Sequence, residues 1–296
     1  MSSLQDLKRR IRSVGNTRKI TKAMELVASA RLRRAQARIE QMRDYAGTMR
    51  ELMAGTARAS ASVRGLPLLK RREERVVAIV PLTGDRGLAG AFNAQVMRRA
   101  FAVERMLRAE GRHVRWLVSG KKGRSTLTFR RYRLAGAWTG YSDKPAYADA
   151  QAIVHRLTEL YEAGEVDRVV LVYNEFVSAL VQRVVERDVL PVSEDLLETD
   201  EEERREDALR GDFIFEPEPE LILERLLPTY LETEIYRALL ESAASEQGAR
   251  MTAMRNASKN AAELIDTLTL EMNRARQAEI TQEILEVVAG ADALTQ

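Results

Sequence analysis

The 296-residue chain contains no cysteine, which excludes disulfide bonds and thiolate chemistry. Its two histidines, His113 and His155, lie far apart in the sequence, so a histidine-based metal site is not expected. Aromatic residues make up only 5% of the chain. No apolar run approaches the roughly 18 residues of a membrane span, and the N-terminus has no signal-peptide pattern. These absences predict a soluble, cytoplasmic protein.

Residues 1–56 have the pattern of one very long helix. Alternating steps of three and four from Leu4 to Met53 visit fifteen positions, and twelve of them are apolar. This spacing is typical of a coiled-coil seam. No proline interrupts the segment, which as a helix would be about 80 Å long.

Three consecutive positions of this seam are polar. They are Arg18, Thr21 and Glu25. The apolar residues of the same stretch stand at shifted positions, namely Ile20, Met24 and Val27. The seam is therefore expected either to drift around the helix here or to meet a different partner.

Residues 229–289 predict a second long helix at the other end of the chain. Its seam has the same alternating spacing and comprises Met251, Met254, Ser258, Ala261, Ile265, Leu268, Met272 and Ala275. The simplest arrangement pairs the two helices of one chain as an antiparallel coiled coil, and the alternative is a homodimeric coiled coil. Pro228 predicts a kink or a restart of this helix.

Charge is distributed unevenly along the chain. Residues 1–56 carry thirteen Lys and Arg against five acids, whereas residues 194–207 contain nine acids. The basic helix has three interpretations: nucleic-acid binding, a solvated outer face, or contact with an acidic protein partner. Because the cations are spread along the seam instead of preceding it as a block, contact with an acidic protein partner is favoured over nucleic acid.

The middle of the chain alternates predicted strands and helices, which indicates a Rossmann-like α/β domain with a mainly parallel sheet. The predicted strands are residues 76–80, 113–118, 134–139, 169–173 and 178–190. The predicted helices are residues 90–110, 121–130 and 146–163. The predicted domains are residues 1–58 and 220–290 as coiled-coil helices, 74–192 as the α/β domain, and 193–219 as an acidic linker.

A glycine-rich turn, residues 83–90, follows the first predicted strand. Its glycines have neither the spacing of a dinucleotide-binding turn nor the GK[ST] ending of a phosphate-binding loop. A pairing of Asp85 with Arg86, or a contact of either with a protein partner, fits better than nucleotide binding. No catalytic set, cofactor site or metal cluster stands out, so the chain is not expected to be an enzyme by itself.

Four segments closely resemble the gamma subunit family of bacterial F-type ATP synthases. They are residues 11–28 (IRSVGNTRKITKAMELVA), 85–93 (DRGLAGAFN), 244–254 (ASEQGARMTAM) and 275–283 (ARQAEITQE). The order of elements also matches along the whole chain. Two other classes, a nucleic-acid-binding or scaffold coiled coil and a nucleotide-dependent α/β enzyme, are the alternatives.

The resemblance implies a rotor shaft that couples proton-driven rotation of the c-ring to ATP synthesis on a ring of three α and three β subunits. It implies an antiparallel coiled coil inside that ring, and a foot domain beside the epsilon subunit and the c-ring. The chain would then be a peripheral, non-catalytic subunit on the cytoplasmic face of the plasma membrane, without a cofactor of its own.

The resemblance also implies contact residues. The contacts with β-subunit loops would be Lys22, Met24, Arg250, Gln277 and Thr281. The bearing at the top of the head would involve Ile284, Val287 and Val288. The contacts with the c-ring or epsilon would be Phe215 and Glu216, and the turn of the foot domain would comprise Asp85, Arg86, Gly87 and Gly90.

Overall fold

The computed structural model describes residues 4–59, 66–193 and 218–294. Within these ranges, a first helix of 56 residues and a last helix of 76 residues flank five strands and three shorter α-helices in the sequence. In chain order the elements are α1 (Leu4–Ala59), a 3₁₀ turn (Pro67–Leu69), β1 (Val76–Pro81), α2 (Phe92–Ala109), β2 (His113–Ser119), α3 (Lys121–Phe129), β3 (Leu134–Trp138), α4 (Tyr147–Glu162), β4 (Arg168–Phe176), β5 (Gln182–Leu190) and α5 (Pro219–Leu294). The predicted fold class is confirmed.

The sheet has the order β3-β2-β1-β4-β5. The first four strands in the chain run parallel, and only β5 at the edge is antiparallel, paired with β4. The chain extends from the central β1 first to β2 and β3 on one side and later to β4 on the other. Because these four strands are parallel, the loops that follow them lie at the same edge of the sheet. That edge carries the glycine-rich turn.

Each face of the sheet is covered by helices, as the continuous apolar character of its strands requires. Helices α2 and α3 pack on one face, where Val77 and Ile79 of β1 meet Val96 and Leu127. The other face, which includes Val80, packs against α4 and against parts of both long helices.

The chain divides into two compact units, and both long helices contribute to each. One unit comprises residues 29–249, with the sheet, and the other comprises residues 1–28 and 250–296. In the second unit the predicted seam of α5 is buried or half-buried as far as Ala275, and every residue from 276 to 289 is exposed. Arg255 of α5 contacts Glu25 of α1.

The end of seam burial on α5 determines the direction of pairing in this unit. From the contact between Glu25 and Arg255, the chain back to Leu4 and the chain forward to Ala275 are nearly equal in length. If α1 runs antiparallel to α5, the N-terminal end of α1 at Leu4 lies level with Ala275, where burial on α5 ends. This is the arrangement expected for a coiled coil within one chain.

Of the three polar positions in the seam of α1, Arg18 is exposed and the other two stay in the seam. Thr21 and Glu25 are buried at the seam, whereas Ile20 and Val27 point outward and are exposed. The predicted alternative of a drifting seam is therefore wrong. The reason is that Glu25 finds charged partners, which offset the cost of burying its carboxylate.

Of the kink or restart predicted at Pro228, the restart is wrong, because α5 continues through this residue, and the kink stays a prediction. Proline removes one hydrogen bond of the helix, but apolar side chains on both sides anchor the segment. Leu223, Leu227 and Leu231 are buried in the core beside the sheet. Burial of each such side chain contributes about 1.5–3 kcal/mol, which together compensates for the proline.

Two glycines allow a test of the backbone. Gly47→Ala in α1 is expected to raise the free energy of unfolding by about 0.5–1 kcal/mol, because alanine is the better helix former. Apart from its chain neighbours and the adjacent backbone of its own helix, nothing lies within 4 Å of the added Cβ. Gly120→Ala is expected to lower the free energy of unfolding by about 1–3 kcal/mol, because φ is +94° and the Cβ would lie 2.0 Å from the carbonyl oxygen of Thr83.

Denaturant unfolding of the full chain measures both changes. Equal stability of Gly120→Ala and the wild type would contradict the close approach of the two loops.

Candidate functional site

A carboxylate buried between the paired helices organises one candidate region. Glu25 accepts a hydrogen bond from Nζ of Lys22 at 3.0 Å and another from Nε of Arg255 at 3.0 Å. These two cations, Lys22 first, lower the pKa of Glu25, against the opposing effect of burial. The carboxylate is therefore held charged at a polar stretch of the seam.

Apolar side chains face outward next to this polar position. Ile20, Leu26 and Val27 of α1 are 60%, 62% and 52% exposed. Because polar residues occupy the seam here, the apolar residues of the same helical turns are available to a partner. Helix α5 adds a second apolar set, comprising Ile280, Ile284, Leu285, Val287 and Val288, which is 43% to 72% exposed.

The structure places the five residues predicted for β-loop contact at two levels of the helix pair. Lys22 and the half-buried Met24 lie near Arg255, and Arg250 is 7% exposed. Gln277 and Thr281 are exposed, about 30 Å or more further along α5 than Arg255. The five residues thus do not form one cluster, and their roles stay predictions.

Of the other predicted contact residues, some are exposed on α5 and some lie outside the described ranges. Ile284, Val287 and Val288 are exposed and open to a partner. Phe215 and Glu216 lie outside the described residues.

Asp85 of the glycine-rich turn joins three loops at the edge where β1, β2 and β3 end. Its Oδ1 accepts from the backbone N–H of Lys121 at 2.9 Å. Its Oδ2 accepts from the N–H of Gly140 at 2.8 Å and from that of Ser142 at 3.0 Å. Its own N–H donates to Oγ of Ser142 at 2.8 Å.

The expectation that Asp85 pairs with Arg86 is therefore wrong. Backbone donors surround the Asp85 carboxylate, and the Arg86 guanidinium instead lies 3.4 Å from Asp143. Gly87 and Gly90 complete the turn, and Gly90 has a positive φ of 56°. Leu88 between them also has a positive φ, of 62°, with its side chain 64% exposed.

Asp143 links the same edge of the sheet to both long helices. Its Oδ2 accepts from Arg31 of α1 at 2.7 Å, and its Oδ1 accepts from Nε2 of Gln247 of α5 at 3.1 Å. Sequence reasoning missed Asp143 because it stands in a loop without a motif. It also missed Arg255, although a carboxylate at a seam position signals a cation on the facing helix.

Among the described residues, no group of acidic or histidine side chains is arranged to hold a metal ion. Within the same ranges, none of the helices combines the length and apolar character needed to cross a membrane.

Comparison with known proteins identifies the family. A family model described as ATP synthase matches residues 3–294. The ATP synthase gamma chain of Rubrobacter xylanophilus is 49% identical over 294 residues, covering 99% of both chains. That of Moorella thermoacetica is 45% identical, covering 99% of this chain and all of the relative. The chain belongs to the ATP synthase gamma chain family.

Solved structures agree with this membership of the gamma chain family. The central stalk of the Tetrahymena thermophila mitochondrial ATP synthase, solved with its c-ring, has a TM-score of 0.59 at 29% identity, covering 81% of this chain and 99% of that one. The rotor of the Euglena gracilis mitochondrial enzyme has a TM-score of 0.67 at 20% identity, covering 94% and 98%, and shares the fold. A nucleic-acid-binding or scaffold protein finds no support in these comparisons.

The buried carboxylate predicts a specific pH dependence. Because the pKa of Glu25 is lowered in the folded chain, its stabilising effect is present above its unfolded pKa and is lost as pH falls through the folded value. The thermal midpoint of wild type is therefore expected to exceed that of Glu25→Gln at neutral pH. The difference is expected to shrink below about pH 4.

Circular dichroism of the full chain across pH measures this difference. Glu263→Gln is the matched control, because Glu263 is an exposed helical carboxylate 3.8 Å from Lys259. A difference between wild type and Glu25→Gln that stays constant with pH would contradict the assignment.

Proposed function

We propose that this chain is the central rotor shaft of an F-type ATP synthase, coupling proton-driven rotation of the c-ring to ATP synthesis on the α₃β₃ head. The observation that carries the proposal is full-length similarity to gamma chains, at 49% identity over 99% of both sequences. As a peripheral subunit of this complex, the chain lies on the cytoplasmic face of the plasma membrane and also contacts the epsilon subunit.

The polar interruption of the seam suits a surface that must slide past its partner. The Lys22–Glu25–Arg255 group holds the two helices together through charges, and it leaves Ile20, Leu26 and Val27 outside. Those side chains and the exposed ammonium of Lys22 form one level of contact with the β-subunit loops. The long-lived apolar contacts of the seam remain between the two helices of this chain and are not made with the β subunits.

A second level of contact lies beyond the N-terminal end of α1. There α5 continues with Gln277 and Thr281 exposed, and the hydroxyl of Thr281 bonds to the carbonyl of Gln277 at 2.9 Å. Met24 and Arg250 belong to the first level. Loops of β contact both levels, and the two are engaged at different heights of the head.

The apolar tip of α5 is the bearing. Ile284 is 58%, Val287 72% and Val288 52% exposed, an arrangement that would be costly in water but favourable in an apolar sleeve. Phe215 and Glu216, outside the described residues, are assigned to the c-ring or epsilon contact.

Catalysis belongs to other subunits in this proposal. In doubly wound folds, ligand phosphates bind at the edge where the parallel strands end. Here the Asp85 carboxylate takes the backbone donors at that position. The α/β domain therefore serves as the foot of the rotor, with the turn of Asp85, Arg86, Gly87 and Gly90 as part of its frame.

Reconstitution with the cognate α and β subunits tests the assignment. The chain is expected to co-elute as one copy with α₃β₃ and to support ATP turnover. Deletion of residues 278–296 is expected to abolish most of that turnover, because the tip loses its bearing. Joint replacement of Ile284, Val287 and Val288 by Ser is expected to lower it in the same direction.

Glu279→Gln, an exposed polar change in the same segment, is the control and is expected to behave as wild type. Elution of the wild-type chain alone, as a monomer or homodimer, with α and β unaffected, would overturn the proposal.

A further inference from the structure

The environment of the Asp85 carboxylate is that of a bound oxyanion. Three backbone N–H groups from two different loops converge on it, at 2.9 Å from Lys121, 2.8 Å from Gly140 and 3.0 Å from Ser142. Converging backbone donors of this kind form the concave sites that bind phosphate in many proteins. The lysine side chain of Lys122 also runs beside the turn, with Nζ 3.9 Å from where a Cβ on Gly87 would lie.

The position in the fold supports the same interpretation. The three N–H groups follow β2 and β3, and Asp85 follows β1, so all lie where neighbouring parallel strands end. Ligand oxyanions bind at this edge in doubly wound sheets. In this chain a side chain of the first loop reaches the place that a ligand would take.

We propose that the edge of the sheet is an oxyanion-binding site of the phosphate or sulfate class, permanently filled by Asp85 as a built-in ligand. A tethered carboxylate occupies such a site in preference to dissolved anions, because its effective concentration is set by the chain and not by the solution. The site therefore does not bind an anion from solution, and its occupant Asp85 instead holds the surrounding loops in place.

Fixing the β3–α4 loop has a direct structural effect. Asp85 holds Gly140 and Ser142, and the next residue is Asp143. Asp143 in turn accepts from Arg31 and from Gln247, one on each long helix. The built-in ligand thus positions the residue that ties both helices to the sheet within this compact unit.

Chemical rescue tests the proposal and does not depend on the rotor assignment. Asp85→Gly removes the carboxylate and leaves the three donors free. Its thermal midpoint in chloride buffer is expected to fall below that of wild type. Replacing chloride with sulfate or inorganic phosphate at constant ionic strength is expected to raise it again by about 2–4 °C, with saturation.

Ser142→Ala is the matched control. It loses the hydrogen bond from the N–H of Asp85, at 2.8 Å, but keeps the carboxylate in the site. Its midpoint and that of wild type are expected to rise only slightly and linearly with sulfate. An equal response of all three proteins, or an unchanged midpoint for Asp85→Gly in chloride, would overturn the proposal.

A second variant covers the case in which Asp85→Gly does not fold. Asp85→Asn keeps the size of the side chain but places an N–H₂ group among N–H donors. Hydrogen exchange in peptides containing Lys121 and residues 140–142 is expected to become faster than in wild type, without recovery in sulfate because the amide still fills the site. Unchanged exchange in these peptides would contradict the role of the carboxylate.

Discussion

The pairing of the first helix with the last is the constraint on which the rest of the structure depends. An apolar stripe on a long helix stabilises it only when another surface covers that stripe. In this unit the N-terminal segment of α1 packs against the part of α5 that follows Arg250. Neither helical segment is therefore stable until the two have paired. The charged group at Glu25 fixes the register of that meeting, since a slip would separate the carboxylate from Arg255.

In the other unit, the sheet attaches the long helices to a compact domain. Apolar packing on one face of the sheet stabilises this attachment, with Met53 of α1 and Leu223 of α5 in the same core. Packing alone resists sliding poorly. The hydrogen bonds of Asp143 to Arg31 and Gln247 add directional links, and Gly248 allows the loop carbonyl of Ala179 to approach within 3.1 Å of a potential Cβ.

Periodicity in the sequence predicted the fold almost completely, because helices and buried strands follow from patterns of local residues. Pro228 misled, since the propensity of one residue was outweighed by leucine packing that involves residues distant in the sequence. The turn at Asp85 was recognised as important, but its partners lie in loops after other strands. The polar stretch around Glu25 was visible in the sequence, yet the counter-ion of Glu25 on α5 could be located only once the helices were paired.

The bare end of α5 has a consequence for the life of the chain before assembly. Beyond Ala275 the helix has no cover from its own chain among the described residues, and Ile284 through Val288 face water. A segment of this kind unfolds locally at little cost and offers an apolar sequence to chaperones and proteases. Once enclosed by other subunits it would be hidden. The apolar tip is therefore the part of α5 whose local stability depends most on assembly.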